Sequence, residues 1–217
     1  MKKVLVAALF LVPVGLLVWQ DYGPFVRARF KPATVTGQAA SRPVRQWATR
    51  IDAPPLQNFY RVSPALYRGA QPDAAGMRRL KELGIRTVVN LRSLHSDAGS
   101  LKGVGLRSVE IGVNTLNPRR EELVEFLRIA TDPDCAPVFV HCQRGIDRTG
   151  MMCAVYRMIV CGWSKEEALD EMTRGPFGYD DVFRNVVDFL WRLDVDELRR
   201  EVLKARPARA AMTQPAR

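Results

Sequence analysis

Fourteen residues, PVFVHCQRGIDRTG at positions 137–150, carry the clearest structural signal in this chain. The apolar residues 138–140 predict a short buried strand, and the apolar segment from Met151 to Val160 predicts a helix that opens at Thr149. Cys142 therefore lies between a strand end and a helix start, where outward-pointing backbone N–H groups and the helix dipole favour anions. The same field favours a thiolate over a thiol, so we expect Cys142 to be nucleophilic at neutral pH.

Two further residues suit this loop to a phosphate group. Arg148, six positions after Cys142, can present a planar fork of donors to two phosphate oxygens. Gly145 allows the backbone to turn closely around a ligand. The pattern thus predicts a phosphate-binding loop at the end of a buried strand.

The spacing His-Cys-x-x-Gly-x-x-Arg-Thr-Gly at 141–150 resembles the phosphate-binding signature of the cysteine-dependent phosphatases, which include the protein-tyrosine and dual-specificity phosphatases. The segments FYRVSPALYRGAQPD (59–73) and LGIRTVVNLR (83–92) are similar to the opening of the atypical dual-specificity phosphatases of plants and fungi and their bacterial relatives. The resemblance covers residues 58–192. It implies an α/β fold, with a central, mostly parallel sheet flanked by helices and the site at the carboxyl end of a strand.

The resemblance also implies a two-step hydrolysis of phosphomonoesters without a metal or other cofactor. Cys142 would attack phosphorus to form a phosphocysteine, which water then cleaves, while the backbone amides of 143–148 and the Arg148 guanidinium hold the phosphoryl oxygens. The family counterpart of His141 orients the loop and helps to keep the thiol ionised. The counterpart of Thr149 assists the thiolate as a leaving group, and Thr149 could also cap the helix.

The variable positions of the loop are candidate substrate-binding residues: Gln143, Arg144 and Ile146, beside Gly145. Inositide-directed relatives often have lysines at such positions, whereas this chain has one Arg and an added carboxylate, Asp147. This composition argues slightly against highly phosphorylated substrates. A phosphotyrosine substrate needs a deep aromatic cleft, which Tyr67 or Phe177 could line.

A general acid is missing from its usual place. In this family it is usually an Asp on a separate loop, but IGVNTLNP at 111–118 contains no Asp or Glu. We predict that Asp147 substitutes for it, as the Asp of similar Gly-x-Asp-Arg-Thr loops is thought to do in lipid-directed and bacterial relatives. The alternative is that Asp147 only holds Arg148 or the loop in place. Asp97 is the second candidate for the acid, although an Asp in a loop is usually a turn residue, and His95 is expected at the surface.

The positive charge of this chain is confined to its ends. The formal net charge is +10. Residues 1–60 contain eight Lys and Arg against two Asp, and residues 204–217 contain four Lys and Arg and no acid, whereas residues 61–203 contain 21 of each sign. A nucleic-acid-binding domain would carry a basic face interleaved with aromatics, so we exclude a nucleic-acid partner.

The four cysteines do not form a metal-binding pattern. Cys135, Cys142, Cys153 and Cys161 include no C-x-x-C pair and have no set of His partners, so we predict no zinc. Cys153 and Cys161 lie on or near the predicted helix and are expected to be small buried apolar groups. Cys135 is expected to be structural too, with a disulfide to Cys142 under oxidation as the alternative.

The N-terminus has the composition of a targeting segment. Met1-Lys2-Lys3 precedes the mostly apolar run Val4–Trp19, whose length falls between a signal-peptide core and a membrane span. We predict an uncleaved signal-anchor over 1–22, with a cleaved signal peptide second and a buried helix third. The lysines favour a domain outside the cytoplasm (periplasmic if the chain is bacterial), whereas three basic residues at 27–31 oppose it.

The remaining boundaries follow composition and turn signals. Residues 23–56 predict a linker, 57–205 the catalytic domain and 206–217 a disordered tail. Within the domain we expect a helix after Asp73 closed by Gly84, a helix capped by Asn117 with Pro118 at its first position, and a helix begun by a Ser164–Glu167 capping box. Strands are expected near 59–62, 66–68, 85–91 and 106–113, and further helices over 182–193 and 195–205.

These patterns favour a membrane-tethered cysteine phosphatase that acts on phosphotyrosine proteins or related phosphomonoesters. The alternative enzyme is an inositol phosphate or phosphoinositide phosphatase. A third possibility is a phospho-ligand binding module with little turnover, which the missing upstream Asp favours and the intact Cys142, Arg148 and Thr149 oppose. A sulfur transferase also uses a loop cysteine, but it does not require the Arg-Thr-Gly continuation.

Overall fold

The computed structural model describes residues 45–204. Its six strands are β1 Thr49–Arg50, β2 Tyr60–Ser63, β3 Leu66–Gly69, β4 Thr87–Asn90, β5 Arg107–Glu110 and β6 Val138–His141. Its α-helices are α1 Ala74–Glu82, α2 Ala98–Leu101, α3 Arg120–Ala130, α4 Asp147–Ile159, α5 Lys165–Arg174, α6 Arg184–Arg192 and α7 Val195–Lys204, with a 3-10 helix over Asp181–Phe183.

The strands form one mixed sheet in the order β1-β2-β3-β6-β4-β5. Strand β6 pairs in parallel with both β3 and β4, and β4 pairs in parallel with β5. The first two pairings, β1 with β2 and β2 with β3, are antiparallel. The α/β class and the flanking helices are confirmed, and the expected parallel arrangement holds for the four strands that meet at the predicted site. Their carboxyl ends share one edge of the sheet.

Strand β6 and helix α4 form the centre of the fold. All four residues of β6 are buried, as expected for an apolar strand covered on both faces. In α4, eleven of the thirteen residues are buried, because the helix packs against the sheet and against α5, α6 and α7. The loop between β6 and α4 therefore connects a fully buried strand to a largely buried helix.

The predicted helix ends are partly confirmed. Gly84 follows α1 with φ +83°, and Ser164 and Glu167 form the expected capping box of α5. The helix predicted from Pro118 begins instead at Arg120, because the Glu122 carboxylate accepts the N–H of Arg119 at 3.1 Å.

Residues 45–56 belong to the folded domain, so the predicted linker boundary is wrong over this segment. Thr49 pairs with Arg61 in the sheet, and Ala48 and Ala53 are buried. The segment is Pro- and Ala-rich and has no apolar period, so only its contacts reveal that it is ordered.

A buried ion pair fastens this segment to the core. Arg157 of α4 donates from Nε and Nη2 to the two carboxylate oxygens of Glu171 on α5, at 2.7 and 2.8 Å. The same carboxylate accepts the backbone N–H of Ala48 at 2.6 Å, and Arg157 also donates to the Val62 carbonyl at 2.9 Å. The Arg157 guanidinium lies 4.1 Å from the centre of the Trp163 ring. One pair of charges thus joins two helices, β2 and the N-terminal segment.

The predicted signal-anchor over 1–22, the part of the linker before residue 45 and the predicted tail over 206–217 lie outside the described residues. Within residues 45–204, no helix combines the length and the apolar character that a membrane crossing requires.

Replacing Glu171 should destabilise the domain strongly. In Glu171→Gln the Arg157 cation stays buried without its counter-charge, so we expect a loss of about 3–5 kcal/mol in the free energy of unfolding. Urea unfolding followed by tryptophan fluorescence measures this loss. The control Glu125→Gln changes an exposed carboxylate on α3 and should stay within about 0.5 kcal/mol. Equal effects of the two substitutions would contradict the role assigned to the ion pair.

Candidate active site

Cys142 is the first residue after β6 and lies at the base of the loop that leads into α4. Its side chain is buried, with 4 % of the residue exposed. The loop sits between the ends of two neighbouring strands, because Gln71 donates its backbone N–H to the Gln143 carbonyl at 3.2 Å and Leu91 donates to the His141 carbonyl at 2.9 Å. Helix α4 begins at Asp147, two residues before the predicted start. Thr149 is therefore in the first turn of the helix and is not its cap.

Two glycines allow the loop to come so close to the sheet. Gly145 has φ +71°, and a Cβ placed there would lie 2.3 Å from the Gly69 carbonyl oxygen. A Cβ on Gly69 would in turn lie 2.9 Å from the Phe139 ring. No side chain fits at Gly145 without displacing the backbone at the end of β3, so glycine is required here by the close approach to the sheet.

Two side chains from outside the loop hold its carbonyl groups. Arg68 of β3 is buried, donates from Nη2 to the Gly145 carbonyl at 2.8 Å, and stacks 3.8 Å from the centre of the Phe177 ring. The Asn58 amide donates to the carbonyls of Arg144 and Phe177 at 3.0 and 3.1 Å. With its carbonyls fixed away from the site, the loop is free to direct N–H groups towards a bound anion.

His141 is held by a carboxylate from a distant loop. Its Nε2 lies 2.7 Å from Oδ2 of Asp97, and its Nδ1 donates to the Cys142 carbonyl at 3.2 Å. Both side chains are fully buried. This geometry places a hydrogen on Nδ1, because the Cys142 carbonyl can only accept, and it leaves Nε2 to contact the Asp97 carboxyl group. It also leaves Asp97 no exposed surface from which to reach a leaving group, which argues against Asp97 as the general acid.

Gln71 connects the loops on either side of this pair. Its amide group contacts His95 and donates to Asp97 Oδ1 at 3.4 Å, and its carbonyl accepts from Arg92. His95, expected at the surface, is instead half-buried against Gln71.

Asp147 is buried in the first turn of α4 and faces the loop after α5. Its Oδ1 accepts the N–H of Asp180 at 3.2 Å, and its Oδ2 lies 3.4 Å from Nη2 of Arg144. Burial raises the pKa of Asp147, although these two contacts partly oppose the shift. Nearby, burial and then the carboxylates of Asp181 and Asp147 raise the pKa of Tyr179 to about 12, so its hydroxyl stays neutral. A carboxyl group with a raised pKa can carry a proton closer to neutral pH than an ordinary Asp.

Arg148 and Thr149 follow within the same helical turn. Arg148 is half-buried, and its Nη1 donates weakly, at 3.4 Å, to the Leu91 carbonyl. Thr149 is fully buried, and its hydroxyl has no hydrogen-bond partner among the described residues.

The variable loop positions lie towards solvent. Gln143 and Arg144 are exposed, and the Arg144 guanidinium lies between the carboxylates of Asp147 and Asp180, at 3.4 and 3.5 Å. Ile146 is half-buried, and a Cβ on Gly178 would lie 3.3 Å from its side chain. The cation at the outer edge of the loop, Arg144, is therefore compensated by two carboxylates.

The other three cysteines lie apart from this chemistry. Cys153 is buried in α4, and burial raises the pKa of its thiol to about 11. Cys135 precedes β6 and Cys142 follows it; the intervening strand alone spans about 10 Å, too far for a disulfide without rearrangement. Across residues 45–204, no group of three or more His, Cys, Asp or Glu side chains is arranged to hold a metal ion.

Comparisons with known proteins agree with this geometry. A family model described as "DSP-PTPase phosphatase fused to NAD+ Kinase" matches residues 45–181. The chain is 37% identical over 154 residues to the dual specificity protein phosphatase TpbA of Pseudomonas aeruginosa strain UCBPP-PA14. The aligned residues make up 70% of this chain and 69% of TpbA. This chain belongs to the cysteine-dependent dual-specificity phosphatases.

Solved structures show the same likeness in three dimensions. The crystal structure of a cysteine-to-serine variant of P. aeruginosa TpbA in complex with pTyr matches this phosphatase with a TM-score of 0.67 at 32% identity, over 76% of this chain and 100% of that one. The core catalytic domain of the PP-IP phosphatase SIW14 from S. cerevisiae matches with a TM-score of 0.61 at 26% identity, over 70% of this chain and 95% of that one.

Sequence reasoning missed the residues that hold the phosphatase loop from outside. The sequence does contain a signal for two of them. Arg68 is a cation within an otherwise apolar strand and Gln71 is an amide just before a helix, and polar groups at such positions need hydrogen-bond partners. Asn58 left no such signal, because its left-handed backbone, φ +51°, is visible only in the structure. Their partners could not be read from the sequence, since the Arg68 and Asn58 contacts span more than 70 residues.

Gly145→Ala should abolish most activity. The added Cβ would push the loop away from Gly69, and displacements of about 1 Å in an active site can cost 100-fold in rate. We expect kcat/KM for p-nitrophenyl phosphate to fall by about 100-fold or more. Gly84→Ala is the matched control, because it also has a positive φ but its Cβ would meet nothing within 4 Å. If both variants keep wild-type activity, the contact between Gly145 and Gly69 does not determine the position of the loop.

Proposed function

We propose that this phosphatase hydrolyses phosphotyrosine in proteins through a phosphocysteine intermediate formed on Cys142. The observation that carries the proposal is the position of Cys142 at the start of a preformed loop, with Arg148 in the first turn of the helix that follows. The similarity to TpbA, whose structure holds pTyr, supports phosphotyrosine as the substrate. A small aryl phosphate would be hydrolysed by the same steps.

In the first step the Cys142 thiolate attacks phosphorus, and the bond between phosphorus and the ester oxygen breaks. The backbone N–H groups of 143–148 and the Arg148 guanidinium stabilise the charge on the three equatorial oxygens. Asp147 donates its proton to the departing oxygen. In the second step water attacks the phosphorus of the phosphocysteine, and Asp147 takes a proton from this water. The sulfur leaves as a thiolate that accepts a hydrogen bond from Thr149.

His141 acts on this chemistry through its position. It holds the Cys142 carbonyl with one ring nitrogen and Asp97 with the other. The hydrogen bond to the Cys142 carbonyl fixes the backbone that carries the nucleophile. Asp97 keeps the ring oriented through a contact in which both side chains are fully buried.

Inositol diphosphates are the second candidate substrate. The likeness to SIW14 favours them, and so does the exposed guanidinium of Arg144 at the rim of the loop. Against them, Asp147 and Asp180 already balance this cation. The aromatic side chains named for a phosphotyrosine cleft do not decide the matter, because Phe177 is buried beneath Arg68 and Tyr67 stacks on Phe59.

The membrane tether and the extracytoplasmic location remain predictions from the apolar run Val4–Trp19 and its flanking charges. A tether would bring the catalytic domain close to membrane-bound phosphoproteins.

Cys142→Ser should eliminate turnover and the covalent intermediate. With ³²P-labelled substrate and rapid acid quenching, we expect a labelled phosphocysteine in wild type and none in this variant. Thr149→Ala should accumulate label, because the thiolate then leaves without a hydrogen bond. If the wild-type protein binds vanadate but releases no phosphate, the chain is a phospho-ligand binding module and the proposed enzyme activity is wrong.

Asp147→Asn should slow the step in which the ester oxygen leaves. For phenyl phosphate, whose leaving group needs a proton, we expect kcat/KM to fall by about 100-fold. For p-nitrophenyl phosphate, whose leaving group is more acidic, the loss should be smaller. The acid must be protonated, so wild-type kcat/KM should fall as pH rises through the raised pKa of Asp147, and Asp147→Asn should lack this limb. The exposed Asp181→Asn is the control. Equal losses for both substrates would assign Asp147 a structural role.

A further inference from the structure

The three most exposed large apolar side chains among residues 45–204 lie on segments connected by hydrogen bonds to the catalytic loop or to one another. Leu94, Leu116 and Val182 have relative exposures of 106 %, 74 % and 76 %. Each lies on a different segment: the loop after β4, the loop after β5, and the 3-10 helix after α5. The next most exposed apolar side chain is Leu203 on α7, at 61 %. Exposed apolar groups on neighbouring loops indicate an interaction surface.

Each of these segments is tied to the site. Arg148 donates to the Leu91 carbonyl at 3.4 Å, and Ser93 donates to the Val113 carbonyl at 3.4 Å, which joins the loops after β4 and β5. Asp180 donates its N–H to Asp147 at 3.2 Å. Asn185 donates to the Thr115 carbonyl at 2.6 Å and so joins the last two segments. The three side chains therefore stand on loops that are bonded to the catalytic loop or to one another.

The backbone of Leu94 is unusual for its residue type. Leu94 has φ +57°, a left-handed conformation that branched apolar residues rarely adopt. The side chain of Asn90 clamps the turn on both sides, accepting the N–H of Arg92 and donating to the His95 carbonyl, both at 2.9 Å. A strained residue held in place by its surroundings and fully exposed to solvent at an active site suggests a role in binding.

The charges around these side chains distinguish the candidate partners. The turns 93–96, 114–117 and 180–183 contain no Lys or Arg and two Asp. Of the arginines that flank them, Arg92 donates to Gln71 and Arg119 pairs with Glu122, while Arg184 is exposed. A highly phosphorylated inositol or an anionic lipid surface would need cations here. A polypeptide that delivers a phosphotyrosine to the buried Cys142 must instead lie across these turns, where its neighbouring side chains would meet leucine and valine.

We propose that Leu94, Leu116 and Val182 form a docking rim for apolar residues that flank the phosphotyrosine of a protein substrate. This inference rests on the proposed phosphotyrosine activity and adds a sequence preference to it. The rim contributes binding area outside the loop, so it acts on peptides and not on small aryl phosphates.

The test compares three substrates with the full-length chain. They are p-nitrophenyl phosphate, a phosphotyrosine peptide with leucines on both sides of the phosphotyrosine, and the same peptide with serines there. We expect wild type to prefer the leucine peptide by about tenfold or more in kcat/KM. In the triple variant Leu94→Asn, Leu116→Ser, Val182→Ser, the ratio of leucine-peptide to p-nitrophenyl phosphate activity should fall by about tenfold. Asn suits the left-handed conformation at position 94, and Leu203→Ser is the control with an unchanged ratio.

The other outcomes would each contradict a different part of the proposal. Equal hydrolysis of the two peptides by wild type, or a preference that survives in the triple variant, overturns the rim and leaves the phosphotyrosine activity standing. Hydrolysis of p-nitrophenyl phosphate without hydrolysis of either peptide overturns the proposed function itself. If the triple variant binds phosphatidylglycerol vesicles less than wild type while the peptide preference is unchanged, the rim contacts lipid and the protein-substrate proposal is wrong.

Discussion

Gly145 lies with its α-carbon against the backbone of Gly69, and the position of the catalytic loop depends on this contact. A methyl group at either glycine would force a shift, at Gly145 against the carbonyl of β3 and at Gly69 against the Phe139 ring. Because the two backbones touch, Arg68 can reach the Gly145 carbonyl and Asn58 can reach the Arg144 carbonyl. These contacts within the protein hold the loop in one shape, so its donors need little reorganisation in the transition state.

The same arrangement separates two carboxylates by environment. Asp97 is fully buried against His141 and holds the ring in place. Asp147 has its oxygens against Arg144 and the Asp180 amide, and burial raises its pKa. The first group thus suits a positioning role, and the second suits the proton transfer proposed for it. Different surroundings commonly assign different roles to neighbouring carboxyl groups in this way.

Local sequence patterns predicted the elements of the site but not what holds them. The strand, loop and helix of residues 137–160 follow from apolar runs and one motif, and the capping signals at Gly84 and Ser164 were correct because capping depends on neighbours in the chain. Residues 45–56 were assigned to a linker because their order comes from a carboxylate more than 100 residues away, Glu171. The sequence predicts Asp97 as an acid or a turn residue and not as the partner of His141 for a similar reason, since His141 lies 44 positions further on. Contacts between residues so far apart in the chain produce no periodic pattern in the sequence.

The division between chemistry and selectivity follows from these contacts. In the proposed mechanism the backbone amides and Arg148 contact only the phosphoryl group, so they do not distinguish one accessible phosphomonoester from another. Selectivity among substrates must therefore come from the turns that surround the loop. Several turns surround it because several strands of the sheet end at the same edge. Strands β3, β4, β5 and β6 end at this edge; the segments after β4 and β5 carry Leu94 and Leu116, and the segment after α5 carries Val182. As parts of the proposed docking rim, these side chains favour a substrate that brings apolar surface with its phosphate.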